Sequence, residues 1–167
     1  MKSIKKYETI INEALRSALE YDTPEGQINE FISFFGKHIG SDRIYIFEDD
    51  EEHHVTNNTY EWCTEGITPQ IEHLQGVNME VIDWWYDTFD EGKSVIISDV
   101  EELKGVHQVS YNMLKYQNVR KVVVSPLRHK GQIKGFFGVD NPPAVDYNAL
   151  TMFLDMIGTM LISLLKI

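Results

Sequence analysis

The chain has 167 residues, 43% of them hydrophobic and 25% charged, with 11 Gly and 5 Pro. That length suits one domain able to bury roughly 70% of its unfolded surface, and the composition excludes a disordered or fibrous chain. A net charge of −11 argues against nucleic-acid binding, because phosphate contacts need clustered Lys and Arg. The single cysteine, Cys63, cannot close an internal disulfide and fits a reducing cytosol.

No signal peptide is expected, since Lys2, Lys5 and Lys6 precede no uninterrupted apolar run. Ser3–Tyr21 reads as an amphipathic helix. Ile4, Tyr7, Ile11, Ala14, Ala18 and Tyr21 recur at spacings of three and four, a heptad-like seam. Thr23-Pro24 supplies an N-cap and a proline at the first helical position, opening a second helix through about His38. Arg43–Glu48 and Val55–Trp62 are β-rich and read as strands, joined by an exposed acidic turn over Glu48–Glu52. Cys63–Gly76 carries Gly66, Pro69 and Gly76 as breakers and reads as irregular.

Asn78–Asp90 is expected to be helical, Ser94–Ser98 a short strand, and Asp99 with Glu102 the capped start of a helix reaching about Tyr116. Val122–Leu127 and Ile133–Val139 flank a short turn containing Gly131, a β-hairpin pattern. Both runs are apolar at nearly every position, so both faces of this hairpin should be covered. Asp140-Asn141-Pro142-Pro143 stops the second strand, because proline cannot donate to a ladder. Ala149–Ile167 closes the chain as a helix. Asp155 in its middle would cost about 2.5–3.5 kcal/mol in a bilayer, so no membrane span is expected. The order of elements predicts an α+β domain with a largely antiparallel sheet, terminal helices on one face and middle helices on the other.

Four segments carry a family resemblance: DRIYIFE at 42–48, NTYEWC at 58–63, the tryptophan pair at 84–85, and GFFGVDNP at 135–142. In these the chain resembles GAF domains, especially those of bacterial cyclic-di-nucleotide signalling proteins. The resemblance implies a six-stranded antiparallel sheet with a ligand pocket on one face. It also implies one domain over 1–167, with an N-terminal signalling helix (1–21), a core (22–143) and a C-terminal signalling helix (146–167). Those helices would pair in a homodimer and relay signals to an output domain such as a diguanylate cyclase. On this view the sequence is a fragment of a cytoplasmic sensor.

Candidate chemistry is sparse. Cys63 could pair with His53, His54, His73 or His107 as a nucleophile, but no motif sets a histidine against it, and a lone cysteine more often serves as a small buried hydrophobe. Some GAF-fold proteins reduce free methionine sulfoxide through several cysteines, and this chain lacks a resolving thiol. His53 and His54 are adjacent and point apart in an extended chain, so no metal site is expected. Bilin attachment would need a Cys-His dipeptide, and cyclic-nucleotide binding an NKFDE pattern. The sequence has neither. No catalytic residue is assigned and no cofactor is named.

What remains is an aromatic and polar set for the implied pocket: Tyr60, Trp62, Cys63, Trp84, Trp85, His107, Tyr111 and Ser125. Rings carrying an N–H or O–H can stack on a small molecule and hydrogen-bond to it, or they can fill the core. Helical spacing makes Trp85 a core position and leaves Trp84 pointing elsewhere. The C-terminal helix repeats Leu150, Phe153, Ile157, Met160, Leu164 and Ile167, and Leu154, Leu161 and Leu165 widen the stripe. A helix apolar over more than one face wants a second partner. Two functions therefore stay open: a sensor that binds a small cytosolic ligand, and a ligand-free dimerisation scaffold.

Overall fold

The computed structural model describes residues 2–143 and 146–165. Two helices come first, α1 (Lys2–Ala18) and α2 (Pro24–Ile39). The Thr23 hydroxyl oxygen accepts from the Gly26 N–H at 3.1 Å and Pro24 follows it, so α2 starts where the cap and proline dictate. Of the two glycines near its end, Gly40 terminates it in the left-handed region at φ 79°.

Six strands follow: β1 (Arg43–Asp50), β2 (Val55–Cys63), β3 (Val77–Asn78), β4 (Val95–Ile97), β5 (Val122–His129) and β6 (Gln132–Asp140). They form one sheet in the order β3-β2-β1-β6-β5-β4, every neighbouring pair antiparallel. Between β3 and β4 lies α3 (Asp83–Asp90), between β4 and β5 lies α4 (Gln108–Tyr116), and α5 (Tyr147–Ile162) closes the described chain.

The hairpin β5–β6 is buried on both faces, as its doubly apolar sequence predicts. Val123, Leu127, Phe137 and Val139 join α1, α2 and α5 in one core, while Val122, Val124 and Phe136 join α3 and α4 in another. Each fully buried Val, Leu or Phe contributes roughly 1.5–3 kcal/mol relative to exposure, so the sheet is held from both sides.

Three local expectations are revised. Val77–Asn78 is strand and Met79–Ile82 a 3-10 turn, so the helix expected from Asn78 begins at Asp83. The helix expected from Asp99 to Tyr116 is broken. Asp99 caps a 3-10 turn at Val100–Leu103, Gly105 turns the chain at φ 78°, and α4 starts at Gln108. The third concerns α1, whose seam packs inside its own domain. Tyr7, Ile11, Ala14 and Ala18 are buried in the α1–α2–α5 core, with the Tyr7 ring 5.8 Å from that of Phe153. The short turn after Ala18 folds α1 back on α2, which spends the apolar seam locally. On α5, Leu150, Phe153 and Ile157 are likewise internal, whereas Met152, Met156 and Met160 are exposed. Lys166 and Ile167, which the sequence adds to this helix, lie outside the described residues. Among the described residues no helix is long and apolar enough to cross a membrane.

Candidate functional site

The site is built on the sheet face that carries α3 and α4. Along β1, Ile44 and Ile46 point to the terminal helices, and Arg43, Tyr45 and Phe47 point the other way. Along β6, Phe136, Gly138 and Asp140 share that second face, alternating with Phe137 and Val139. β2 is less regular. A bulge at Thr59 sets Tyr60 opposite Ile46 but Asn58 opposite Phe47. Asn58 and Glu61 are thereby delivered to the second face.

These strands floor a cleft roofed by Trp85 of α3, Met113 and Leu114 of α4, and Leu74 of the segment 64–76. Its wall is mostly apolar, and its interior leaves about 40 Å³ to the centres of water-sized molecules, room for a few waters. Aromatic rings line the floor. Phe47 stacks on Phe136 with centroids 4.6 Å apart, and Trp85 meets the Phe136 ring edgewise at 5.4 Å. Gly138 must be glycine here, since a Cβ would overlap the Tyr45 ring.

One end of the cleft is charged. The Arg43 guanidinium donates through Nη1 to Asp140 Oδ2 at 2.6 Å and through Nη2 to the Thr68 carbonyl at 2.8 Å. Its Nε lies 3.5 Å from Glu61 Oε2. The side chains of all three are almost wholly buried. Burial pushes the Asp140 carboxyl up to about 6, although the Arg43 charge pulls the other way. The Tyr45 phenol is pushed far above its ordinary value by burial and by Asp140. Although this hydroxyl interacts with the carboxylate, no well-aligned hydrogen bond reaches Asp140 Oδ1 among the described residues. The Trp85 indole Nε1 is likewise buried without a partner there. A buried polar atom left unpaired costs about 1–3 kcal/mol. Arg43 Nε is a third such atom, and three of them on the residues that line one cleft suit a bound molecule that supplies partners.

The segment 64–76 is tied down over the cleft by the same cluster. Glu61 accepts from the Gln70 N–H at 2.9 Å and the Ile71 N–H at 3.3 Å, and the Asn58 N–H donates to the Leu74 carbonyl at 3.0 Å. The Asp-Asn-Pro end of β6 divides its labour. Asp140 turns into the cleft, while Asn141 Oδ1 accepts from the Arg120 and Lys121 N–H groups and its Nδ2 donates to Asp42. Asn141 takes φ 50°, a conformation asparagine tolerates better than most residues. The strand end next to Asp140 is therefore fastened to the loops before β1 and β5.

Of the eight residues singled out from the sequence, Trp85 lines the cleft. Cys63 lies on the cleft's side of β2, its half-buried thiol pushed up by burial and by Glu61 and pulled down by Arg43, but it does not line the cavity. Tyr60 and Trp62 are on the opposite face, packed on the terminal-helix core. Trp62 lies so close over Gly36 that a Cβ there would overlap its ring. Ser125 is also on that face, its Oγ 2.9 Å from Ser94 Oγ and beside Asp155 of α5. Trp84 stacks on His107 at 4.2 Å and donates to Ser110 Oγ at 3.0 Å. With Glu80 and Asp83 these line a shallow outer depression distinct from the cleft. Tyr111 donates to Glu101 Oε2 at 3.1 Å in an exposed position. One register fact explains the two misplaced residues of β2: side chains alternate, so Glu61 faces the cleft only if Tyr60 and Trp62 do not.

Arg43, Glu61 and Asp140 are functional candidates that sequence reasoning passed over. The available signal was charge inside apolar strands: Arg43 opening RIYIFE, and Asp140 ending GFFGVD.

An antiparallel six-stranded sheet between terminal and middle helices, with a cleft under the middle layer, is the GAF fold. Solved structures match it across nearly the whole chain. The far-red-absorbing dark state of a protein with bound biliverdin IXa has a TM-score of 0.74 at 12% identity, over 93% of this chain and 96% of that one. The GAF domain of a phosphoenolpyruvate-protein phosphotransferase from Coxiella burnetii has a TM-score of 0.73 at 10% identity, covering 96% and 92%. Free methionine-R-sulfoxide reductase from Neisseria meningitidis, in complex with its substrate, has 0.70 at 12%, covering 96% and 89%. No protein-family model matches the sequence, and no curated protein does. At such identities the likeness is one of fold.

Proposed function

We propose that this domain is a non-catalytic sensory module of the cytosol that binds a small molecule in the cleft over β1 and β6. Its occupancy is relayed through the terminal helices to an output domain, such as a diguanylate cyclase. The observation that carries this reading is the set of unpartnered buried atoms, Asp140 Oδ1, Trp85 Nε1 and Arg43 Nε, on residues that line one cleft. The bound molecules of structural neighbours, biliverdin in one and a substrate in another, lend it support. A route for the relay exists in covalent continuity, because β6 leads from Asp140 through Asn141 toward α5. The test is a thermal-shift screen of nucleotides, haem and metabolites, followed by amide exchange. A true ligand raises Tm and slows exchange at Gln70 and Ile71. If nothing shifts Tm and the cleft stays closed, the reading fails.

A ligand-free dimerisation scaffold is the second reading, favoured by the small interior of the cleft. Self-association enters both readings, but not through the α1 seam, which is already buried. The surface left for a second copy is Leu19 with Met152, Met156 and Met160, all exposed, beside an apolar groove between α1, α2 and α5.

A further inference from the structure

The geometry points to a ligand class: a small organic cation, an ammonium or amidinium head whose N–H groups meet Asp140 Oδ1, carrying a neutral oxygen for Trp85 Nε1. This inference rests on reading the cleft as a ligand site. Charge is the first warrant. The cleft end holds one guanidinium, Arg43, against two carboxylates, Glu61 and Asp140, all nearly sequestered from water. The cluster is one negative charge over, and a buried excess charge favours an incoming opposite one.

Donor and acceptor occupancy is the second warrant. Two Arg43 nitrogens donate, Nη1 to Asp140 and Nη2 to Thr68, while Nε faces Glu61 Oε2 at 3.5 Å without a well-aligned hydrogen bond. Both Glu61 oxygens are engaged by the N–H groups of Gln70 and Ile71. Two positions are open at this end, the acceptor Asp140 Oδ1 and the donor Arg43 Nε, and the donor already faces a carboxylate. A carboxylate or phosphate would arrive beside two carboxylates and compete with Glu61 for Arg43 Nε. The open donor on the roof, Trp85 Nε1, is neutral and needs only a hydroxyl or carbonyl oxygen.

The wall is the third warrant. Tyr45, Phe47, Trp85 and Phe136 surround the cavity, and aromatic faces attract cations more than anions. The interior, about 40 Å³ to water-sized centres, limits the head to a few heavy atoms.

The test uses the full chain and simple probes: ethanolammonium, glycinamide and guanidinium against formate, acetate and inorganic phosphate, titrated by NMR. The Trp85 indole N–H signal reports the cleft, and that of Trp62 on the other face serves as internal reference. Expected are saturable shifts at Trp85 with the cations, at least tenfold tighter than any anion. Asp140→Asn should weaken cation binding tenfold or more, with Ser125→Ala within twofold of the parent. Should Asp140→Asn fail to fold, the selectivity of the unaltered chain still decides. Anions binding at Trp85 as tightly as the cations overturn the cation class and leave the sensory reading standing. So does a neutral or anionic screening hit there with the cations silent. No binding by any probe or screened compound overturns both.

Discussion

Asp140→Asn should change how the stability of this protein responds to acid. In the folded chain burial lifts the Asp140 carboxyl from an ordinary 3.8 to about 6, so the folded state holds this proton more tightly than the unfolded state. The sign follows from linkage: the stabilisation is complete below about pH 4 and is lost as pH rises through about 6. At about 1.4 kcal/mol per tenfold in proton affinity, the full difference is worth roughly 3 kcal/mol. About 1 kcal/mol of it should be gained between pH 7.5 and pH 5.5, a window that stays above the sequence pI near 4.9 and keeps the chain soluble. The neighbouring Tyr45 and Cys63 groups are pushed upward, away from this window, and Arg43 and Glu61 are present in both proteins. The surface carboxylates Asp50 and Glu101, pulled down by His53 and Lys115, act in the opposite sense but equally in both. Urea unfolding followed by tryptophan fluorescence, at both pH values for parent and variant, isolates the difference. The parent should gain about 1 kcal/mol on the variant as pH falls. Parallel responses within about 0.3 kcal/mol, or a difference of opposite sign, would refute the burial argument.

Trp62→Ala should cost about 2–4 kcal/mol in stability by opening a void over Gly36, while leaving affinity for any cleft ligand within twofold. Chemical denaturation and titration measure the two, and a selective loss of binding would contradict the placement of Trp62. Glu61→Gln exchanges a carboxylate for a weaker acceptor at the Gln70 and Ile71 amides. Their hydrogen exchange should quicken at least tenfold with little change at Val123 or Phe137. Uniform acceleration would mean that Glu61 supports the whole sheet instead of the segment over the cleft. Met156→Glu with Met160→Glu should leave a folded monomer if the exposed face of α5 joins two copies. Light scattering on the parent at micromolar concentration decides first, since a monomeric parent removes the dimer from both functional readings.

The sequence by itself determined what depends on local periodicity and on chain breakers. Thr23-Pro24 started α2, the doubly apolar runs around Gly131 fixed a hairpin covered on both faces, and Asp140-Asn141-Pro142 ended it. Those signals are local because proline, caps and alternation act over a few residues. The sequence could not say which face of β2 meets the cleft. That depended on the bulge at Thr59, and one extra residue in a strand reverses every side chain beyond it. Nor could it say that Arg43, Glu61 and Asp140 share one buried cluster, since Arg43 and Asp140 stand 97 positions apart and meet only because β1 and β6 pair. Apolar stripes on α1 and α5 were legible as stripes. Whether a stripe is spent inside the domain or left for a partner was decided by the tertiary structure, which turned Tyr7 and Phe153 inward and left Met152, Met156 and Met160 facing out. The physical reason is that burial is a property of the space between elements, and periodicity describes only one element at a time.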